Sequence, residues 1–238
     1  MTVSARSKRK STQRVAKRDN SSMIWLIGGS IVLIGLIIFA VIINAGGTAA
    51  SIAQPDVPEG WINGMSLGNP DAPILVETFE DFLCPHCREW TATAGKQLKE
   101  EYIQVEDSQV RWEFRPFPLD GFAPGSRMAA QAAHCAADQN FFWPYHDRLF
   151  AEQSRGQSAY QVEELIGYTG GIEGMGERQF TQCMGAMAHQ NEILETSQEG
   201  VSRGVTGTPT VYVNGQKVNS DYASVKAEID RLLATAGQ

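Results

Sequence analysis

The spacing of hydrophobic and polar residues changes several times along the chain, and each change predicts a new element. Residues Ile74–Phe79 form an apolar run typical of a buried strand. Val110–Arg115 alternates apolar and charged residues, which indicates a strand with one face in a core. Between them, Arg88–Tyr102 has the pattern of a helix. This order predicts two parallel strands joined by a crossover helix.

The pattern is helical from residue 123 to about residue 204. Four helical segments are predicted there: Ser126–Gln139, Tyr145–Gln153, Ser158–Tyr168 and Glu177–Arg203. Strand patterns return at Pro209–Val213 and Gln216–Val218, on either side of an Asn-Gly pair typical of a tight hairpin turn. A last helix extends to about Ala234. The predicted order is βαβ, a helical block, and then ββα.

The apolar stretch Met23–Ile43 has 21 residues without a charge and is rich in Ile, Leu and Val. It is long enough to cross a bilayer core of about 30 Å as a helix. Residues 1–22 carry seven Lys or Arg and one acidic residue. Because positive charge favours the cytoplasmic side, we expect a basic cytoplasmic arm, a transmembrane anchor at 23–43 and an extracytoplasmic remainder. A cleaved signal peptide is the alternative, although its apolar core usually has only about 7–15 residues.

The formal net charge of −7 is unevenly distributed, because residues after the arm include 13 basic and 26 acidic side chains. A basic arm can bind nucleic acid, but the apolar stretch that follows it favours a membrane role, and no nucleic-acid partner is predicted. Residues 44–60 are small and polar, with two Pro and three Gly, which predicts a flexible linker. The folded domain is predicted at 61–236, with a helical insertion at about 122–204.

The candidate chemistry lies in Cys84-Pro85-His86-Cys87, between the first predicted strand and its helix. Two cysteines at this spacing can close a small disulfide ring. The first of them lies at a helix N-terminus, where unpaired N–H groups and the helix dipole favour a thiolate. Pro85 suits the first helical position, and a protonated His86 would add positive charge. A lowered thiol pKa stabilises the reduced pair and makes the disulfide more oxidising.

Two other interpretations of this pair remain. It could be half of a zinc site, but zinc clusters usually have a second close pair of ligands, and Cys135 and Cys183 are separated by 48 residues. It could also be a purely structural disulfide, although so short a ring restrains the unfolded chain little. Redox chemistry is the favoured hypothesis.

The element order, the Cys-Pro-His-Cys motif and Gly207-Thr208-Pro209-Thr210 before the late hairpin together resemble the thioredoxin fold. The helical insertion narrows the resemblance to the DsbA-like thiol:disulfide oxidoreductases. Asp81, three residues before the first cysteine, and the stretch Phe142–Phe150 are similar to the membrane-tethered bacterial branch. The resemblance implies an α/β thioredoxin fold with a central mixed β-sheet and a helical insertion domain, preceded by an N-terminal transmembrane helix.

The resemblance also implies roles for individual residues. Cys84 corresponds to the nucleophile that forms mixed disulfides, Cys87 to the buried resolving thiol, and His86 to the residue that tunes the reduction potential. Pro209 corresponds to the family's cis-proline, and Thr208 and Pro209 to the edge along which a substrate backbone lies. An ordinary proline at the start of a strand is the alternative for Pro209. No cofactor is implied beyond the redox-active disulfide Cys84–Cys87.

The sequence departs from the family pattern at one position. Many members have a buried acidic residue six positions before the first cysteine, where this chain has Thr78. Glu77 should not replace it, because neighbouring strand residues face opposite sides. Proton transfer to and from Cys87 is then expected to depend on water or on another carboxylate such as Glu80.

Cys135 and Cys183 each lie among apolar residues at helical spacing, which predicts that both face the core of the insertion. Two cysteines on neighbouring helices in an oxidising compartment favour a structural disulfide, with two inert buried thiols as the alternative. His134, His146 and His189 show no metal-ligand spacing, so no metal site is predicted. An aromatic cluster is expected in the core of the insertion rather than in a ligand platform: Phe141, Phe142, Trp143 and Tyr145.

The sequence thus predicts an extracytoplasmic enzyme that introduces disulfides into exported proteins with free thiols. Its reoxidation would require a membrane partner of the DsbB or VKOR type. A reductase or isomerase that uses the same site is one alternative. A tethered binding or chaperone module, in which the cysteine pair is only structural, is the other.

Overall fold

The computed structural model describes residues 52–236. Its strands are β1 (Ile62–Asn63), β2 (Ser66–Gly68), β3 (Ile74–Glu80), β4 (Val110–Pro116), β5 (Thr210–Val213) and β6 (Gln216–Val218). They form one sheet in the order β1-β2-β4-β3-β5-β6. Strands β3 and β4 are parallel and the other neighbours are antiparallel. The sheet is therefore mixed, as predicted.

Seven helices surround this sheet in the described part of the chain. Helix α1 begins with Pro85–Trp90 and continues through a π-helical turn at Thr91–Gly95, an α-helical turn at Lys96–Leu98 and a second π-helical turn at Lys99–Ile103. The remaining helices are α2 (Gly125–Ala137), α3 (Phe142–Glu152), α4 (Val162–Gly167), α5 (Glu177–Ala186), α6 (Gln190–Ser202) and α7 (Tyr222–Ala236). Helices α2 to α6 make up the insertion between β4 and β5.

The two faces of the sheet are covered by different elements. On one face, Trp112 of β4 packs edge-on against Trp90 of α1 and in a tilted arrangement against Trp143 of α3. On the other face, Phe79 of β3 lies beneath α6. A Cβ atom at Gly200 would come within 2.8 Å of a neighbouring aromatic ring, so this close approach requires glycine. Because β3 is covered on both sides, the residues just after it are held at a fixed position above the core.

Several sequence predictions differ from the structure in detail. The hairpin β1–β2 was not predicted, because strands of two and three residues carry no clear periodicity. The segment Ser158–Tyr168 is not one helix: a 3₁₀ stretch occupies Gln153–Tyr160 and only Val162–Gly167 is α-helical. The segment Glu177–Arg203 is two helices, since Met187 adopts a left-handed conformation with φ of 48° that ends α5.

The N-terminal predictions fall mostly outside the described residues. The basic arm at 1–22 and the anchor at 23–43 lie outside them, as do residues 44–51 of the predicted linker. Within residues 52–236, no helix is long and apolar enough to span a membrane. Residues 52–60, predicted as linker, lie against the domain: Gln54 Nε2 donates to Asn140 O at 2.7 Å, and Val57 packs on the core.

Candidate active site

Cys84 lies at the junction between β3 and α1. It is the N-cap residue of α1, with extended backbone angles, and Pro85 follows in the first turn. The Cys84 carbonyl accepts hydrogen bonds from the N–H groups of Cys87 and Arg88, at 3.1 and 3.2 Å. The first turn of the helix therefore begins directly at Cys84, and its backbone N–H groups lie close enough to affect the thiol.

The carboxylate of Asp81 holds this junction to the insertion. Its Oδ1 accepts from Leu83 N at 2.8 Å and from Ser126 Oγ at 2.7 Å, and its Oδ2 accepts from Leu119 N at 2.7 Å. Burial raises the pKa of Asp81, although these hydrogen bonds counteract the effect. One buried carboxyl group thus joins the motif turn, the segment after β4 and helix α2.

The pKa of Cys84 is lowered to about 5. A hydrogen bond with the Cys87 thiol is the largest cause; Thr208 and the backbone N–H groups of Cys87 and His86 also lower it, while burial opposes them. The Thr208 hydroxyl is buried and makes no hydrogen bond within residues 52–236, so its proton is available to a thiolate. Cys84 is 5% exposed and Cys87 is 0% exposed. Of the two, only Cys84 can be reached from solvent.

Cys87 has the opposite electrostatic character. Its pKa is far above the ordinary value for a thiol, chiefly because of burial, with further contributions from Cys84 and from the Glu80 carboxyl group. The backbone N–H of Asp81 donates to Cys87 Sγ at 3.5 Å. At neutral pH the pair is therefore a thiolate at Cys84 and a protonated thiol at Cys87, and the thiol donates to the thiolate.

Glu80 is the buried acidic residue of this site. It is 1% exposed, its Oε2 accepts from Thr91 Oγ1 at 3.3 Å, and its Oε1 has no partner among the described residues. Burial raises its pKa to about 8. Glu80 lies two residues after Thr78 on β3, so the two side chains share the face that α1 covers. The acid is thus displaced by two residues from the position expected in the family.

Thr78 and Glu77 have structural roles instead. Trp112 Nε1 donates to Thr78 Oγ1 at 2.8 Å in the core. The Glu77 carboxylate pairs with the guanidinium of Arg203, at 2.6 and 2.8 Å, on the opposite face of the sheet. Glu77 therefore cannot serve Cys87, as the alternation of strand residues predicted.

Thr208 and Pro209 lie beside the cysteine pair, although they follow it by more than 120 residues. The peptide bond between them is cis, and the Cys84 thiol contacts Thr208 O at 3.4 Å. Pro209 directly precedes β5, whose pairing with β3 begins at Thr210 opposite Phe79. A cleft of about 530 Å³ opens here, lined by residues that include His86, Trp90, Thr208, Pro209 and Tyr222.

Cys135 and Cys183 form a disulfide that joins α2 to α5, with a Cα–Cα distance of 5.7 Å. Gln131 Nε2 contacts both sulfurs, at 3.4 and 3.9 Å. Cys135 is fully buried and Cys183 is half-buried. The aromatic residues of α3 lie in the core of the insertion, where Phe142, Trp143 and Tyr145 are at most 1% exposed.

The sequence of the domain matches the family model described as Thioredoxin over residues 61–231. A probable disulfide bond formation protein D of Bacillus anthracis is 34% identical over 170 residues, covering 71% of this chain and 77% of that protein. The chain belongs to the thioredoxin family, among its DsbA-like thiol:disulfide oxidoreductases. A Bacillus cereus protein of the same name is 31% identical over 201 residues, covering 82% of this chain and 92% of that protein.

Solved structures of DsbA-like proteins share the fold. The crystal structure of oxidised BdbD from Bacillus subtilis superposes with a TM-score of 0.63 at 22% identity, covering 76% of this chain and 97% of that one. Chlamydia trachomatis DsbA gives a TM-score of 0.61 at 19% identity, covering 73% and 91%.

Sequence patterns did not identify every residue of this DsbA-like site. Gln153, the first residue after α3, donates from Nε2 to the carbonyls of Phe82 and Cys84, at 2.7 and 2.9 Å. It fixes the backbone of the motif from the insertion side. A single glutamine in a helical segment carries no signal of such a role, whereas the shared face of Thr78 and Glu80 could have been deduced from strand alternation.

Proposed function

We propose that this chain is an extracytoplasmic thiol:disulfide oxidase that introduces disulfides into exported proteins through Cys84 and Cys87. The observation that carries the proposal is the opposite displacement of the two thiol pKa values, low at Cys84 and high at Cys87. A low pKa at the attacked sulfur stabilises the reduced pair and so makes the disulfide a strong oxidant. The names of the two Bacillus relatives, disulfide bond formation protein D, support the same direction.

In the first step, a substrate thiolate attacks Cys84 Sγ of the oxidised pair. A substrate–Cys84 disulfide forms, the Cys84–Cys87 bond breaks, and its electron pair goes to Cys87 Sγ. Cys87 is a poor leaving group as a thiolate because its pKa is so high. Glu80, which is largely protonated near neutral pH because its pKa is about 8, is the group that supplies the proton. Thr91, half-buried and hydrogen-bonded to Glu80, is the link to solvent.

In the second step, another thiolate of the substrate attacks the substrate sulfur of the mixed disulfide. Cys84 leaves as a thiolate, stabilised by the Cys87 thiol, Thr208 and the first turn of α1. The substrate has lost two electrons and its two thiol protons. The cysteine pair has gained the two electrons, and one proton resides on Cys87.

Thr208 and Pro209 are the proposed substrate edge. Proline has no N–H group, so the backbone beside Thr208 is available to an extended peptide. The cleft next to it supports this placement, because it runs past His86 and Pro209 along α1. We assign to Pro85 and His86 the adjustment of the reduction potential of the cysteine pair. Pro85 begins the helix, and the backbone N–H of His86 lowers the Cys84 pKa.

A membrane reoxidant of the DsbB or VKOR type would return the reduced pair to its disulfide. The uncharged stretch at 23–43 would anchor the enzyme beside such a partner, with residues 1–22 in the cytoplasm. The redox-active disulfide itself is the electron acceptor from the substrate, so the step requires no added cofactor.

The test is oxidation of a reduced two-cysteine peptide by the full chain, combined with the reduction potential in glutathione buffers. We expect Cys84→Ser to abolish activity. We expect Cys87→Ser to be inactive on its own, but oxidised glutathione should convert its Cys84 to a Cys84–glutathione disulfide, and attack by a peptide thiolate should then give a peptide–Cys84 disulfide and release glutathione. We expect a potential above about −180 mV, as in DsbA and protein disulfide isomerase rather than in thioredoxin. A potential near about −270 mV would instead favour a reductase. Full activity of Cys84→Ser would refute the redox role and favour a binding module.

A further inference from the structure

Helices α2 and α6 bring together two histidines that are 55 positions apart in the sequence. The rings of His134 and His189 are stacked, with centroids 4.9 Å apart and planes inclined by 18°. Glu192 Oε2 lies between them, 3.4 Å from His134 Nδ1 and 2.8 Å from His189 Nδ1. These three donor atoms lie within 4.8 Å of one another. The cluster is outside the cysteine site and borders a cavity of about 350 Å³.

The side chains around the cluster are arranged as in a preorganised binding site rather than a chance surface contact. His134 is 6% exposed, and its Nε2 has no hydrogen-bond partner within residues 52–236. His189 Nε2 contacts Asp138 Oδ2 at 2.8 Å. A carboxylate on the second ring nitrogen is the usual partner of a metal-bound histidine, since it fixes the ring and its tautomer. The other nitrogen of His189, Nδ1, faces Glu192 Oε2 at 2.8 Å, so a cation at this position would replace the contact between two of its own ligands.

The Cys135–Cys183 disulfide fixes the geometry of this cluster. Cys135 follows His134 on α2. Cys183 lies on α5, and the turn after that helix leads directly to His189 at the start of α6. The backbone N–H of His189 also donates to Gln131 Oε1 at 3.1 Å, and Gln131 in turn contacts both sulfurs. The bond therefore holds the start of α6 against α2, so the two rings face each other before any ligand arrives.

We propose that His134, His189 and Glu192 bind one divalent transition-metal ion, with zinc as the best fit to the donor set. Two imidazole nitrogens and one carboxylate oxygen are typical zinc ligands, and water would complete a tetrahedron. Tetrahedral donors around zinc are about 3.3 Å apart, so Glu192 Oε2, at 2.8 Å from His189 Nδ1, must move away from that nitrogen by about 0.5 Å. Glu192 can move to allow this because 58% of its side chain is exposed.

The charge around the cluster favours a cation. Asp138 and Glu192 supply negative charge. Arg115 borders the same cavity, but its guanidinium is paired with Glu113 and Glu199. The bound ion would bridge α2 and α6 and hold the insertion together.

The test is zinc binding by the full chain in detergent, purified without a polyhistidine tag and carrying Cys84→Ser and Cys87→Ser. This background removes the redox thiols as competing ligands, and it makes failure of the metal site independent of the oxidase proposal. Calorimetry with Zn²⁺ and the visible absorption of Co²⁺ are the two measurements. We expect one ion per chain and tetrahedral Co²⁺ bands.

Two variants and one matched control assign the site. His189→Gln and Glu192→Gln should each weaken binding at least about tenfold, because even the loss of a partner that only supports a ligand usually costs about 10–100-fold. Glu195→Gln, the same change at an exposed position on α6, should leave the affinity unchanged. Absence of Zn²⁺ binding would overturn the proposal. So would binding that His189→Gln or Glu192→Gln leaves at the parental affinity.

Discussion

Replacement of Glu80 by Gln should change how stability depends on pH. Burial raises the folded-state pKa of Glu80 from 4.5 to about 8, so the unfolded chain releases this proton first as pH rises. The stabilising contribution of the protonated form is complete below pH 4.5 and is lost as pH rises toward 8. Within this window, each pH unit lowers the free energy of unfolding of the wild-type protein by at most about 1.4 kcal/mol. Between pH 5 and pH 7 the wild-type protein should lose about 2.5 kcal/mol through this group.

Gln has nearly the same shape as a protonated Glu but no ionisable proton. The free energy of unfolding of Glu80→Gln, measured relative to wild type at the same pH, should therefore rise by about 2.5 kcal/mol from pH 5 to pH 7. Urea unfolding at each pH gives the two free energies of unfolding. The oxidised protein is the appropriate form, because it lacks the Cys84 thiolate and retains burial, which is the largest cause of the shift.

Glu89→Gln is the matched control, since Glu89 is exposed on α1 and its replacement removes no buried carboxyl group. The difference in unfolding free energy between this control and wild type should not change over the same pH range. A Glu80→Gln difference that is equally flat would refute the assignment of a buried, protonated acid. The same variant should also slow peptide oxidation, because Cys87 would have to leave without a proton donor.

Three further outcomes are expected. The thiolate absorbance of the reduced protein at 240 nm should titrate with a midpoint near pH 5 for Cys84; a single step near pH 9 would contradict the proposed site. Removing the Cys135–Cys183 bond with two Ala substitutions should lower the unfolding free energy by up to about 4 kcal/mol, since it closes a loop of 48 residues; an unchanged value would show that α2 and α5 hold without it. Thr78→Val should cost about 1–3 kcal/mol by leaving the buried Trp112 Nε1 unpaired, whereas Thr78→Ser, which keeps the hydroxyl, should recover most of that loss.

The elements with strong local patterns were predictable from the sequence. Strand Ile74–Glu80 and strand Val110–Pro116 were predicted to within one residue, because runs of apolar or alternating residues report directly on burial. The cysteine motif was predictable because its chemistry depends on neighbours in the chain. By contrast, the helix α5 ends at Met187 because this residue adopts a left-handed backbone conformation. A methionine in the sequence does not predict that conformation.

Contacts between distant residues were the part that sequence could not supply. His134 and His189 have no ligand spacing, and only the packing of α2 against α6 brings them together. Glu80 is an intermediate case. Strand alternation places it on the face of Thr78, but its burial beneath α1, and hence its raised pKa, depends on the packing of the helix.

A newly exported copy of this chain contains four thiols, and two of them must be joined before the helical insertion is complete. Cys135 has no solvent exposure in the folded protein, so its bond must form while the insertion is still open. We expect an already oxidised copy of the same chain to be able to supply this bond. Refolding of the fully reduced chain should be slow at first, and its rate should increase when a small amount of folded, oxidised protein is added.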